Sequence, residues 1–239
     1  MYALIQKYRQ KKTYNTGTAK LINGTLNALF SSNLLSVFDP AVVMGSAATA
    51  ELRKKLAEHR KSKEPIDPKS GFHVKSDANA SKIDDMKNVN PGFTDLSDNT
   101  KNNCMLCTTT YDLRRRGYDV TAEEVRAGYY TGDVKRWYPD AEIHKVKNYS
   151  TVDELINNTE KAISKQGDGA RGNIMVTWQQ GGGHSMAYEV ENGKVVIYDC
   201  QTGTRYENAG DILKYTNTVS YARLDNVEPD YDKIKEASN

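Results

Sequence analysis

The chain has 239 residues, of which 38% are apolar and 27% are charged, a composition typical of a soluble protein with a moderate core. No run approaches the roughly 18 apolar residues of a membrane-spanning helix, and the first residues lack the order of a secretory signal. We therefore expect neither a membrane span nor secretion by the general route. Three cysteines are too few for a disulfide scaffold, which predicts free thiols in a reducing compartment.

The charges are distributed unevenly. Residues 1–90 contain 15 Lys and Arg against 8 Asp and Glu, which leaves 18 and 23 for the rest of the chain. This asymmetry indicates two parts with different partners. The basic part could contact nucleic acid or an acidic protein surface, and we include DNA contact through residues 1–63 as one hypothesis. A solvated basic helix face is the alternative.

The N-terminal part is predicted to be helical and then extended. Residues 1–17 form a polar, basic arm, and helical spacing of apolar residues predicts helices over Thr18–Ser31 and Pro40–Lys61. Proline punctuates residues 62–103, which hold few apolar side chains. That composition predicts a linker or an extended strap, and we place a domain boundary near residue 88.

A compact pattern begins at residue 103. Cys104–Arg116 is predicted to be a helix that ends at Gly117. The basic run Arg114–Arg116 complements the dipole at its C-terminal end, an interpretation that we prefer to a phosphate site. Three further helices are predicted, over Thr121–Ala127, Ser150–Lys165 and Asp211–Tyr215. Single strands are predicted over Ala141–Val146, Asn173–Trp178 and Thr218–Leu224, and a hairpin is predicted from Ser185–Glu191 and Lys194–Asp199. A helix followed by a mainly antiparallel sheet is an α+β order.

The hairpin places polar residues together. A two-residue loop at Asn192-Gly193 sets a register in which Met186 faces Asp199 and His184 faces Gln201. Because alternate residues share a face, that face is apolar near the turn and polar at its open end. A carboxylate beside an imidazole fixes its tautomer and raises its basicity, as a general base requires. The alternative is a structural histidine with polar neighbours.

A cysteine lies at the start of the predicted helix. Cys104 follows Asn103, a reasonable N-cap, and the positive end of a helix dipole favours a thiolate. Cys107 is a rival nucleophile on a nearby face. The C-x-x-C spacing could also indicate metal or redox chemistry, but zinc needs two further ligands and no second cysteine pair exists. Buried structural thiols are the remaining alternative.

Two strings of residues carry a family resemblance. The first is Asn103–Val120, preceded by Val89-Asn-Pro91, and the second is Gly183-His-Ser185 with Asp199-Cys-Gln-Thr-Gly203. Together they resemble the papain-fold toxin domains of polymorphic toxins and of minor structural or head-associated proteins of tailed bacteriophages. The resemblance covers about residues 88–224.

The resemblance implies an α+β, papain-like cysteine peptidase fold, in which a nucleophile helix packs on an antiparallel sheet behind a helical or extended N-terminal arm. Cys104 would be the nucleophile, His184 the base and Asp199 the orienting acid, with Gln201 assisting. No cofactor is implied. The expected reaction is deamidation of protein glutamine or peptide cleavage.

The phage context implies further partners and a place of action. Residues 1–87 would associate with phage capsid, portal or other virion proteins, and residues 88–239 would act on a protein substrate. We expect a virion-associated protein that reaches the host cytoplasm on delivery or during assembly. The alternative is a catalytically silent minor capsid protein that uses its papain-like domain as a binding module.

Overall fold

The computed structural model describes residues 64–77, 79–91, 93, 102–123, 128–235 and 237–238, all of which belong to one compact unit, Glu58–Asn239. The predicted basic arm, the helices predicted over Thr18–Ser31 and Pro40–Lys61, and the DNA contact predicted for residues 1–63 lie outside the described residues.

The described residues form six α-helices: α1 (Lys82–Lys87), α2 (Cys104–Arg115), α3 (Val134–Trp137), α4 (Val152–Ser164), α5 (Gly210–Leu213) and α6 (Tyr231–Ile234). They also form six strands: β1 (His144–Lys145), β2 (Arg171–Trp178), β3 (Gly183–Glu191), β4 (Lys194–Asp199), β5 (Thr204–Tyr206) and β6 (Thr216–Arg223). A 3₁₀ turn at Thr131–Asp133 leads directly into α3.

The strands form a single antiparallel sheet in the order β1-β6-β2-β3-β4-β5. The β3–β4 hairpin turns at Asn192 and Gly193, whose φ angles of 51° and 75° fit a type I′ turn. Glu191 pairs with Lys194, and the ladder continues to Ala187 opposite Tyr198. The predicted register is therefore confirmed near the turn.

The two faces of the sheet carry different helices. One face of the hairpin presents Ala187 and Tyr198, which pack in one cluster with Cys107 and Tyr111 of α2. The other face presents Met186 and its alternating neighbours, which pack with α4 in a second cluster. Because the side-chain period of a strand is two, the hairpin is buried on both faces between the two helices. The arrangement is α+β.

The segment before α2 packs closely on the domain. Asp85 and Met86 of α1 are buried, and Val89 lies fully buried in the cluster that contains Cys107 and Tyr111. The compact unit begins at Glu58, well before the boundary that we predicted near residue 88. The segment has the polar composition of a linker because few apolar side chains, such as Met86 and Val89, are buried in it and the ion pairs of Asp85 supply the rest of its attachment.

The helix prediction for Thr121–Ala127 is wrong over its described part. Thr121–Glu123 has no helical conformation, and Ala122 forms a β-bridge with Ser238. Residues 124–127 lie outside the described part of the chain. Pairing with the C-terminal segment, rather than local helical preference, determines the conformation of the described residues.

Among the described residues, no helix combines the length and the apolar character that a membrane crossing requires.

Candidate active site

Three elements meet at the open end of the β3–β4 hairpin. His184 is the second residue of β3, Asp199 is the last residue of β4, and Cys104 is the first residue of α2. The structure therefore brings together the three residues predicted for a Cys–His–Asp site, although they are up to 95 positions apart in the chain.

His184 and Asp199 form a close pair. Nε2 of His184 lies 3.1 Å from Oδ1 of Asp199, and their side chains are only 12% and 9% exposed. The same carboxylate accepts hydrogen bonds from the backbone N–H groups of Gln201 (3.2 Å) and Thr202 (3.4 Å). Burial raises the pKa of Asp199, but the bonds from His184 and Thr202 outweigh it, so its pKa lies below 3.8. The carboxylate is thus held charged beside the imidazole.

The His184 imidazole has two partners, the Asp199 carboxylate and the Cys104 side chain. Burial opposes its charged form, but hydrogen bonds and charge interactions with Asp199 and Cys104 outweigh burial and raise its pKa from 6.5 to about 10. An imidazole with this pKa carries a proton at neutral pH. A protonated imidazole beside a carboxylate and a cysteine side chain is the arrangement that a cysteine hydrolase requires.

Residues 102–204 match the family described as papain fold toxin 1, glutamine deamidase. This part of the chain is a papain-fold toxin domain. The match begins two residues before Cys104 and extends past Gln201, so all the predicted site residues lie inside it. A search of curated proteins and a search of solved structures found no match.

The three thiols of the papain-fold domain differ in environment. Cys104 is partly exposed, whereas Cys107 and Cys200 are buried. Burial in the apolar cluster raises the pKa of both buried thiols well above the usual value, which disfavours the thiolate. Cys104 is also the thiol that contacts His184. Accessibility and the imidazole contact therefore both favour Cys104 over its rival Cys107.

Gln201 lies in a different place from the one that the hairpin register predicted. The described β3–β4 ladder ends at Tyr198, and Asp199 pairs with Thr204 of β5. The chain then turns, and Nε2 of Gln201 donates a 3.0 Å hydrogen bond to Oδ1 of Asn103. The expected extension of the ladder to His184 opposite Gln201 is wrong because β4 turns into β5 at Asp199.

Asn103 is the N-cap of α2 by position, but its side chain makes no capping hydrogen bond. Its amide instead donates to the carbonyl oxygen of Glu123 at 3.2 Å and to Oδ1 of Asn90 at 3.4 Å. Asn103 is fully buried. Its hydrogen bond with Gln201 connects the start of α2, next to Cys104, to the loop that follows Asp199.

Two residues near the site were not identified from the sequence. The Trp178 ring stacks on His184 with centroids 5.9 Å apart, and Asn90 donates to the carbonyl oxygen of Gln201 at 3.3 Å. A signal for Trp178 exists in the sequence, because pairing the predicted strands on either side of Gly181–Gly183 places Trp178 near His184. Asn90 belongs to the Val89-Asn-Pro91 string of the resemblance, but no site role was predicted for it because its contacts depend on how the preceding segment packs.

The basic run Arg114–Arg116 at the end of α2 makes ion pairs within the domain, which agrees with the structural role that we preferred to a phosphate site. Arg115 bonds Asp85 at 3.1 Å and Glu189 at 3.0 Å, and Arg116 bonds Asp112. Arg114 donates to Asp119 at 2.9 Å.

Within the described ranges, no group of three or more His, Cys, Asp and Glu side chains is placed to hold a metal ion.

Proposed function

We propose that the papain-fold domain is a cysteine amidohydrolase that deamidates glutamine side chains of a protein substrate. Cys104 is the nucleophile, His184 the acid and base, and Asp199 the residue that orients the imidazole. The observation that carries the proposal is the position of His184 between the Asp199 carboxylate and the thiol at the start of α2. The family description, a glutamine deamidase, supports the choice of reaction.

The chemistry follows from this geometry. The Cys104 sulfur attacks the carbonyl carbon of the glutamine side chain, and the imidazolium gives its proton to the departing nitrogen, which leaves as ammonia. A thioester remains. The imidazole then takes a proton from water, the resulting hydroxide attacks the thioester, and glutamate and the free thiolate are released. Asp199 keeps its negative charge throughout and stabilises the imidazolium.

The start of α2 can stabilise the negative oxygen of the tetrahedral intermediate. The first N–H groups of a helix have no acceptor within the helix, and they point at an anion placed beyond its N-terminus. Asn103 and Gln201 hold this end of α2 against the loop after Asp199. We assign Gln201 a positioning role, because its amide nitrogen bonds Asn103.

The decisive experiment incubates the chain with glutamine-containing protein or peptide and measures ammonia release and amide-to-acid conversion by mass spectrometry. The wild type should convert glutamine to glutamate, and Cys104→Ala should abolish conversion. Cys107→Ala is the matched control, since it removes a thiol from the same helix turn and should leave conversion largely intact. Cleavage of the peptide backbone without ammonia release would indicate a peptidase. Conversion by the Cys104→Ala variant would refute the assignment.

We further propose that the N-terminal part attaches this domain to a phage particle, a proposal supported by the resemblance of the sequence and by the excess of positive charge in residues 1–90. The test removes residues 1–57, which lie outside the compact unit that starts at Glu58. A deletion of residues 1–87 would also remove buried Asp85 and Met86 and would confuse attachment with folding. Unchanged incorporation of the truncated chain into particles would refute attachment. Incorporation without any amide hydrolysis would favour the alternative, a binding module in the virion.

A further inference from the structure

A buried polar chain links the first turn of α2 to the strand that carries His184. The hydroxyl oxygens of Thr108 and Ser185 are 3.0 Å apart, and the Ser185 hydroxyl donates to Oδ1 of Asn173 at 2.7 Å. The Asn173 amide donates to the sulfur of Met105 at 3.0 Å. The series of hydrogen bonds therefore starts on α2 at Thr108, passes through Ser185 of β3 and Asn173 of β2, and ends on α2 at Met105.

The hydrogen between the Ser185 and Thr108 hydroxyls must come from Thr108, because Ser185 gives its own to Asn173. Each hydroxyl has one hydrogen to donate. If Ser185 donates to Asn173, its own oxygen is free to accept the hydrogen of Thr108. The Thr108 hydroxyl has a second acceptor, the carbonyl oxygen of Cys104 at 3.0 Å, so its single hydrogen is shared between that oxygen and Ser185. All four side chains of the chain are at most 4% exposed, so water cannot readily replace a lost partner.

The chain connects the immediate neighbours of two site residues. Ser185 follows His184 in β3, and Met105 follows Cys104 in α2, with Thr108 one helical turn farther on. Cys104 and His184 belong to different elements, so their contact depends on how α2 sits on the sheet. A displacement of about 1 Å between reacting groups costs on the order of 100-fold in rate.

We propose that Ser185 is a positioning residue that sets the distance between the Cys104 thiolate and the His184 imidazole through its hydroxyl bond to Thr108. This inference rests on the proposed function of the site. It predicts that loss of the hydroxyl weakens the thiolate–imidazolium pair before it unfolds the domain.

The test is the rate of Cys104 alkylation by iodoacetamide across a pH series, which needs no substrate. Ser185→Ala should slow alkylation at neutral pH by about 10- to 100-fold, and its pH profile should move toward that of a free thiol. Ser238→Ala is the matched control. Ser238 is 2% exposed, and its hydroxyl lies 2.6 Å from that of Thr110 on the same helix, outside the chain that leads to His184. It should change stability but leave the pH profile unchanged.

Substitutions at Thr108 test the other end of the bond. Thr108→Val removes the hydroxyl at nearly constant shape and should reproduce the Ser185→Ala profile, whereas Thr108→Ser keeps the hydroxyl and should retain the wild-type profile. The bond between the two hydroxyls is lost in either single variant, although Ser185→Ala also loses the bond to Asn173 and Thr108→Val the bond to the Cys104 carbonyl. The double variant should therefore be slowed by less than the product of the two single effects. If Ser185→Ala fails to fold, the Thr108 pair of variants decides the question.

The outcomes are distinguishable. Fast wild-type alkylation that Ser185→Ala and Thr108→Val leave unchanged would overturn the positioning role and leave the proposed function intact. A wild-type Cys104 that reacts no faster than a free thiol would overturn the proposed function and the positioning role together. Equal changes in Ser185→Ala and Ser238→Ala would show that only general stability is affected.

Discussion

Replacing Asp85 with alanine tests whether the segment before α2 is part of the folded domain. The Asp85 side chain is fully buried and lies 2.8 Å from Nζ of Lys75, 3.1 Å from Arg115 and 3.5 Å from Arg114. Lys75 and Arg114 are each 7% exposed. Removing the carboxylate takes the anion from buried Lys75, whereas Arg114 keeps Asp119 and Arg115 keeps Glu189.

The expected cost follows from this burial. Breaking a buried ion pair by removing one partner typically costs about 3–5 kcal/mol, because the remaining charge is desolvated and uncompensated. We therefore expect Asp85→Ala to lower the free energy of unfolding by about that amount. This is a large share of the stability of a typical domain, whose whole value is about 5–15 kcal/mol.

Urea denaturation followed by tryptophan fluorescence measures this change. Asp232→Ala is the control, because Asp232 is 96% exposed and lies 3.5 Å from Lys235. That variant should stay within about 0.5 kcal/mol of the wild type. A loss below about 1 kcal/mol for Asp85→Ala would refute the reasoning, since it would mean that the segment adds no more than a surface contact.

Three further changes have defined outcomes. Asp199→Asn should lower the pKa of His184 from about 10, because the strongest partner of the imidazolium loses its charge, as NMR titration would show. Gly172→Ala should destabilise the sheet by about 3 kcal/mol in urea denaturation, because its Cβ would lie 2.0 Å from the carbonyl oxygen of Ala222. Asp225 has a lowered pKa, because a guanidinium partner outweighs burial. Its stabilisation is present above pH 3.8 and is lost as the pH falls, so Asp225→Asn should flatten the acid limb of the stability profile.

Each change has a matched control. Asp140→Asn alters an exposed carboxylate and should leave the His184 titration unchanged. Gly132→Ala adds a Cβ with nothing within 4 Å and should be tolerated. Asp232→Asn should leave the acid limb as in the wild type. The argument for Asp199 fails if the His184 titration is unchanged in Asp199→Asn. The argument for Gly172 fails if Gly172→Ala leaves the free energy of unfolding unchanged, and that for Asp225 fails if Asp225→Asn keeps the acid limb of the wild type.

The hairpin shows how far local signals reach. The Asn192-Gly193 turn sets the register, and a two-residue period then places His184 and Asp199 at the same open end. The same reasoning failed for Gln201, because β4 ends at Asp199 and the chain turns into β5. The predicted strand ended at Asp199, as β4 does, but no local pattern showed where the turn after it would place Gln201.

The choice between Cys104 and Cys107 shows the limit of sequence spacing. Both thiols lie in the first turn of α2, so helix geometry alone left them as rivals. Packing against β3 and β4 buries Cys107 with Cys200, and it leaves Cys104 at the edge beside His184. Burial is a property of the assembled layers, which spacing along one helix cannot supply.

The sequence by itself determined the α+β order, the hairpin and its register near the turn, and the resemblance that the family match confirmed. These features depend on turn chemistry, periodicity and short motifs, which are local. Tertiary structure decided which thiol meets the imidazole, where Gln201 points, and that residues 64–91 belong to the domain. Those outcomes depend on burial and on ion pairs such as Asp85–Arg115, whose partners are 30 positions apart in the chain. The free energy of such contacts exists only once the distant elements have come together.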